Sequence, residues 1–415
     1  MRSASTALSG PAQLFARGAD ALAIAVAVSL PWSSSATSIL VLLLLLALVP
    51  VLAFRDVRRE VATPAGGLPV ALFALAALGM AWSDVSWAER LGGLDSFAKL
   101  LMIPFLLAHF RRSGRGRWVM LGYLVSCTAL LALSSAFALS PGATLAFTKY
   151  FGVAVKDTAT QSGQFVICAF VLLFLAIEML RRGSRALAGG ALALALIFFA
   201  NVLSLASADL TIVPVATLVI IPILLVLLGF KEFSTRAMLA VLAAVATVVA
   251  ASWIFSPSLR DLVGSTWASV QPYAGNDENP AGTRPEFWKK SLGFIRAAPL
   301  RGHGTGAIPD LFARSAVGQT GYSARLTTNP LQQTLAIGIQ LGLVGIALLW
   351  AMWLSHLLLF RGNGLPEWVG LVIVTQNLVG SLLNSHLFDF TQGWIYVLGV
   401  GVAGGLVRQL RDVAN

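Results

Sequence analysis

Two short stretches carry residue types and spacing that could handle an anion. Thr283-Arg284-Pro285-Glu286 has the form of a capping box, and Arg301-Gly302-His303-Gly304-Thr305-Gly306 is a glycine-rich turn a little further on. In the first, threonine can accept from the third helical amide, Pro285 is tolerated at an early helical position, and Glu286 can reach back. An arginine in that first turn opposes the helix macrodipole, at a cost of about 0.3 kcal/mol or more, and a bound phosphate would reverse the penalty. A solvated Arg284 paired with Glu286 or Asp277 accounts for the same residues, and both readings stand. In the second stretch, amides freed by glycine could approach an anion closely. Glycine triplets also serve as plain turns, and no preceding strand supports a dinucleotide fold.

These residues need elements to hold them. The capping box predicts a helix from Arg284 to about Ala297, with Phe287, Trp288, Leu292 and Ile295 on one apolar stripe and Pro299 beyond its end. A shorter helical stretch is expected over Asp310–Val317. Around them the chain is built for lipid. Its 415 residues are 57% hydrophobic and 11% charged, against roughly 45–50% and about 25% in soluble domains. The expected fold is an all-α polytopic membrane protein.

A spanning helix needs about 20 largely apolar residues, which gives about twelve candidates. They fall at 17–33, 35–53, 66–82, 98–110, 118–138, 163–180, 186–206, 211–229, 237–255, 332–357, 366–384 and 389–407. The segment at 98–110 is the weakest and could start near Leu94, with Lys99 facing protein or snorkelling. Residues 21–36 resemble a signal peptide, but another span follows at once, so a retained first helix is expected. The organisation is then nine spans in 1–255, a large loop at 256–331, and three spans in 332–415.

Lysine and arginine set the orientation, because short cytoplasmic loops carry an excess of them. RDVRR at 55–59, RRSGRGR at 111–117, RRGSR at 181–185, Lys231 with Arg236, Arg361, and Arg408 with Arg411 all fall on the side of the N-terminus. Both termini are therefore expected in the cytoplasm of a bacterial inner-membrane protein, with the long loop periplasmic. Eight basic residues within 256–331 run against that trend and ask for an anionic partner. The net charge of +11 does not suggest nucleic acid, since the basic residues lie in short runs between apolar segments. Cys127 and Cys168 sit inside apolar segments, and the four histidines are widely spaced, so no metal and no cofactor is expected.

The order GTRPEFWKKSLGFI, APLRGHGTG, a short helix, then NPLQQTLAIGIQLGLVG entering a span resembles the O-antigen ligase and O-antigen polymerase superfamily of bacterial membrane proteins. The resemblance implies a metal-independent glycosyltransferase of the C type. Such an enzyme moves a glycan from undecaprenyl diphosphate to an acceptor at the outer face, which for ligases is the lipid A core. It also implies arginines on the donor diphosphate and a histidine as general base. On that pattern Arg284, Arg301, Gly302, Gly304, Gly306, Arg314 and Arg325 are the expected diphosphate-binding residues, supported by Lys156, Asn329, Gln332, Asp389 and Gln392.

The ligase signature puts its histidine before Asn, Ser or Gln, then nine residues, then Gly-x-x-Gly. Gln332 and Gly342-Leu343-Val344-Gly345 fit in register, but the preceding residue is Leu331, which cannot accept a proton. Other departures run the same way: Thr158 in KDTATQ, SADLT at 207–211 without its arginine, and Gln392 and Trp394 in FDFTQGW. His303 and His386 remain on the outward side as substitute bases, each set against a structural role; His109 and His356 fall near cytoplasmic ends. Asp389, at an outer helix start, is either a favourable N-terminal charge or a site residue. Gly338, Gly342 and Gly345 read as positions of close helix approach.

Three functions fit. One is a ligase or polymerase acting on a lipid-linked glycan in contact with membrane lipid. Another is a catalytically degenerate paralogue that binds the glycan or a partner. A transporter is the third, although no repeat between halves is apparent and the long loop follows span nine rather than span six.

Overall fold

The computed structural model describes residues 10–139, 153–204 and 283–414. The spans expected at 211–229 and 237–255, the SADLT segment and the first part of the loop, with Asp277, lie outside the described residues. All regular structure among the described residues is helical.

The helices are α1 (Gly10–Ser29), α2 (Ser34–Leu48), α3 (Phe54–Val61), α4 (Pro64–Gly79), α5 (Trp87–Ala98), α6 (Met102–Phe110) and α7 (Gly116–Leu139). After them come α8 (Thr158–Arg181), α9 (Arg185–Ser204), α10 (Thr283–Ala297), α11 (Ile308–Ala316), α12 (Gln333–Leu359), α13 (Leu365–Leu383) and α14 (Phe390–Ala414). Seven of the described segments are long and apolar enough to cross a membrane. One core, with Trp353, Tyr396, Phe165 and Phe170 fully buried, runs through the bundle. A second, smaller core of Phe287, Ile308, Phe312, Ala336 and Ile339 lies at the loop end of the bundle, where α10 and α11 cover the start of α12.

Local chemistry sets the helix starts. Thr63 accepts from the Gly66 amide ahead of α4, Asp157 accepts from the Thr160 amide at 2.8 Å ahead of α8, and Gln332 caps α12. At the far end, buried Glu60 of α3 accepts from Arg111 at 2.9 Å and pairs with Arg408 of α14. Removing one partner from such a desolvated pair leaves an uncompensated charge, so the three segments are fixed together.

The weakest expected span is longer than its sequence suggests. Residues 87–110 form a nearly continuous helical run, α5 and α6 joined by a 3₁₀ turn at Lys99–Leu101. A capping box at Ser86 and Glu89 starts it, within the polar stretch the sequence assigns to a connection. Lys99 faces protein: its Nζ donates to the carbonyls of Leu387 (3.2 Å), Phe388 (3.0 Å) and Asp389 (3.2 Å).

Helix α12 is broken at Gly342, where φ is 64° and ψ is −160°. Such a break strands amides and carbonyls, which apolar surroundings cannot satisfy. The turn after α10 supplies the missing partners. Pro299 O accepts from the Leu343 amide (2.8 Å) and Leu300 O from the Val344 amide (3.5 Å), while the amides of His303 and Gly304 donate to Ile339 O (2.8 Å) and Gln340 O (2.9 Å). Close helix approach does occur at Gly338, beside Ile295 of α10, but Gly342 serves this backbone exchange instead.

A Cβ at Gly342 would lie 2.3 Å from Leu300 O, in a conformation open almost only to glycine. Gly342→Ala is therefore expected to destabilise the protein by about 2–4 kcal/mol. Gly293→Ala, on α10 with open space around it, should be neutral or stabilising by about 0.5–1 kcal/mol. Thermal unfolding of the two variants in detergent checks both.

Candidate functional site

The 299–306 turn is wedged between α4, α5 and the broken α12. Gly302 N donates to Ala298 O (3.0 Å), Thr305 N to Gly79 O (3.2 Å) and Gly306 N to Gln340 Oε1 (2.8 Å). With His303 and Gly304 on α12, all five amides from 302 to 306 have protein acceptors. The glycines have positive φ, and a Cβ on Gly304 would meet the Ser83 backbone at 2.5 Å. Their evident work is close packing, and it places Gly306 in the wall of a cleft.

That cleft, of about 380 Å³, opens at the loop end between α5, the start of α11, the Thr328–Asn329 segment, the first half of α12 and the Phe388–Asp389 turn. Its described lining includes Glu89, Ser96, Asn329, Gln340 and Asp389, and no lysine, arginine or histidine. Glu89 is exposed, so it stands at the mouth, and Asp389 is half-buried. Glu89 Oε2 accepts from the Ser86 amide (2.9 Å) and hydroxyl (2.7 Å), which fixes its orientation.

Asp389 is positioned from three sides. Lys99 holds its carbonyl and those of the two residues before it, Asn384 Nδ2 donates to its Oδ2 at 3.1 Å, and its carbonyl accepts the Gly393 amide that begins α14. Burial raises its carboxyl from 3.8 to about 6, with the Lys99 ammonium opposing and Asp157 adding to the rise. A carboxylate with that value is poised to exchange protons near neutrality.

Asn329 ties the loop to the same turn. Its Oδ1 accepts from the Ser385 hydroxyl (2.6 Å) and from the Leu331 amide (2.9 Å). Leu331 has φ of 57°, alone among the described non-glycine residues in being positive. Left-handed backbone costs a bulky residue about 1–2 kcal/mol, and histidine and asparagine adopt it more readily than leucine. The leucine side chain packs against the smaller core rather than lining the cleft.

The other expected site residues are dispersed around this centre. His303 is bound by its ring Nε2 to Phe294 O at 2.8 Å and lies edge-on to the Phe294 ring, which is a packing role. His386 is buried with its ring against Gly380 and its Nδ1 without a partner; desolvation lowers it from 6.5 to about 4, against the attraction of Asp157, so it is neutral near pH 7. Arg284 is half-buried in the first turn of α10, and Arg301 is exposed on the turn. Arg314 pairs with Asp310 one turn back, and Arg325 donates to the Thr283 hydroxyl and covers the Tyr322 ring. Thr283 and Glu286 both receive bonds from the 323–325 segment, Glu286 from the Ser323 hydroxyl at 2.8 Å. Gln332 caps α12 through its side chain.

Lys156 bridges α1 and α14, donating to Leu30 O (2.7 Å) and Thr391 Oγ1 (2.6 Å). Burial lowers it from 10.5 to about 8, partly offset by Asp157. Gln392 is buried over Gly163 of α8, its Nε2 reaching Thr160 O at 3.5 Å. Thr158 is buried at the start of α8, and Trp394 packs against the main core. Glu89 and Ser96 enter the cleft without having been singled out from sequence; the Ser86-x-x-Glu89 capping pattern is the signal that could have marked that helix start.

Residues 211–350 match the family described as O-antigen ligase, and the described part of that match holds α10, α11 and the broken start of α12. No curated protein matches the chain.

A carboxyl raised by folding binds its proton more tightly in the native state. The contribution of Asp389 to native stability is then full below about pH 4 and is lost as pH rises through about 6. Asp389→Asn removes that dependence. Its stability relative to the parent is expected to increase between pH 4.5 and pH 8 by on the order of 2–3 kcal/mol. Denaturant titrations in detergent at the two pH values read the difference.

Proposed function

We propose that this chain, a member of the O-antigen ligase and polymerase superfamily, transfers a glycan from undecaprenyl diphosphate to the lipid A core at the periplasmic face of the bacterial inner membrane. Both termini lie in the cytoplasm in this reading. The supporting observation is the 380 Å³ cleft under the family's loop, with the Asp389 carboxyl, raised by burial to about 6, in its wall.

In this mechanism the acceptor sugar enters the cleft and its hydroxyl meets Asp389. The hydroxyl oxygen bonds to the anomeric carbon of the donor glycan as the bond from that carbon to the diphosphate oxygen breaks. The hydroxyl proton passes to the Asp389 carboxylate and then to water at the mouth beside Glu89. Asp389 thereby does what Leu331 cannot. The diphosphate leaves with its negative charge stabilised by Arg284, Arg301, Arg314 and Arg325, of which Arg301, Arg314 and Arg325 are exposed at the loop end. Lys156 and Gln392 brace the start of α14, and Asn329 and Gln332 brace the loop and the start of α12.

A second reading keeps binding without transfer. It is favoured by Leu331, which fills the expected base position with an apolar side chain packed against the smaller core. A polymerase would use the same donor with a second lipid-linked glycan as acceptor.

Purified protein in liposomes, given undecaprenyl-diphosphate glycan and lipid A core, should yield ligated product. Its rate should climb with pH through about 6, the value of Asp389, and then level. Asp389→Asn should lower kcat by on the order of 10²–10⁴-fold. No transfer by the parent, with transfer appearing only on Leu331→His, would sink the ligase reading in favour of the degenerate one.

A further inference from the structure

The cleft's charge restricts what can enter it. Glu89 and Asp389 are the charged residues in its described lining, and no cation faces them there. Lys99 stands behind Asp389, but its three donor contacts go to the carbonyls of Leu387, Phe388 and Asp389. A phosphate or carboxylate placed in the cleft would give up hydration and meet like charge without a counter-ion. A sugar hydroxyl meets the opposite situation, because it donates to a carboxylate and to the Asn329 region while its C–H face rests on Phe388 and Ile308. The size suits such a guest, since small-molecule sites begin at about 300 Å³.

We infer that the cleft selects an acceptor whose reacting sugar carries no phosphate or carboxylate, and that Glu89 at the mouth is a specificity-determining residue that turns anionic sugars away. This rests on the cleft being the acceptor site, as proposed above. The arrangement divides the two substrates by charge. The anionic diphosphate stays with the arginines outside the wall, and the uncharged or amino-bearing hydroxyl sugar goes inside it.

The test measures binding with no donor present. Saturation-transfer NMR on the full chain in nanodiscs at pH 7.5 would compare methyl glucoside, methyl glucosaminide and methyl glucoside 6-phosphate. The neutral and amino sugars should bind on the order of tenfold or more tighter than the phosphate. Glu89→Gln retains the capping hydrogen bond and removes the charge, so it should narrow that gap. Combination with Asp389→Asn should narrow it further. Equal or tighter binding of the phosphate sugar overturns the inference. So does an unchanged gap in the double variant, or no saturable binding of any of the three. A protein that shows the expected order yet transfers nothing would defeat the ligase reading and leave the cleft's selection of uncharged sugars standing.

Discussion

A backbone in apolar surroundings has no water to satisfy it, and the loop end of this protein is organised around one place where that rule is strained. Helix α12 breaks at Gly342, and the four groups it strands are taken up by Pro299, Leu300, His303 and Gly304. Repairing the break holds the 299–306 turn against α4 and α5, and this carries Gly306 to the cleft wall. The first half of α12, freed from the line of the second, is covered by α10 and α11 and makes the smaller core. Cleft, turn and smaller core are thus consequences of one interrupted ladder of hydrogen bonds.

The second organising contact is electrostatic. A buried ammonium is costly unless its protons find acceptors, and Lys99 finds three consecutive carbonyls at the start of α14. It steadies the turn that presents Asp389 without forming a close pair with the carboxylate itself. Burial can therefore keep that carboxyl near neutrality, where a direct ion pair would have held it low.

Much of the helical layout was legible because apolar runs of spanning length and their caps leave strong local signals. The helix expected from Arg284 to Ala297 is α10, and the short stretch near 310–317 is α11. The break at Gly342 was not legible, since a glycine in an apolar run looks the same whether it admits a neighbouring helix or reverses the backbone. The start at Trp87 was hidden by the polar residues of 83–95, of which 87–95 form the first turns of α5 and only 83–86 a connection. The cleft itself could not be read. Its wall draws on segments separated by up to about 300 residues, and Asn329 and Asp389 stood in the sequence as supporting residues, the latter also as an ambiguous charge at a helix start, with nothing to bring them together.

Chain order gives the interrupted helix a bearing on biogenesis. Residues 299–306 precede Gln340–Val344, so a ribosome releases the repairing segment before the one that needs repair. Domains form from the N-terminal side during synthesis. The acceptors and donors for the break are therefore already made when α12 emerges, and the vulnerable ladder need not wait for distant sequence. With the order reversed, the unsatisfied turn of α12 would face lipid until its partner arrived, an invitation to misinsertion and to membrane proteases.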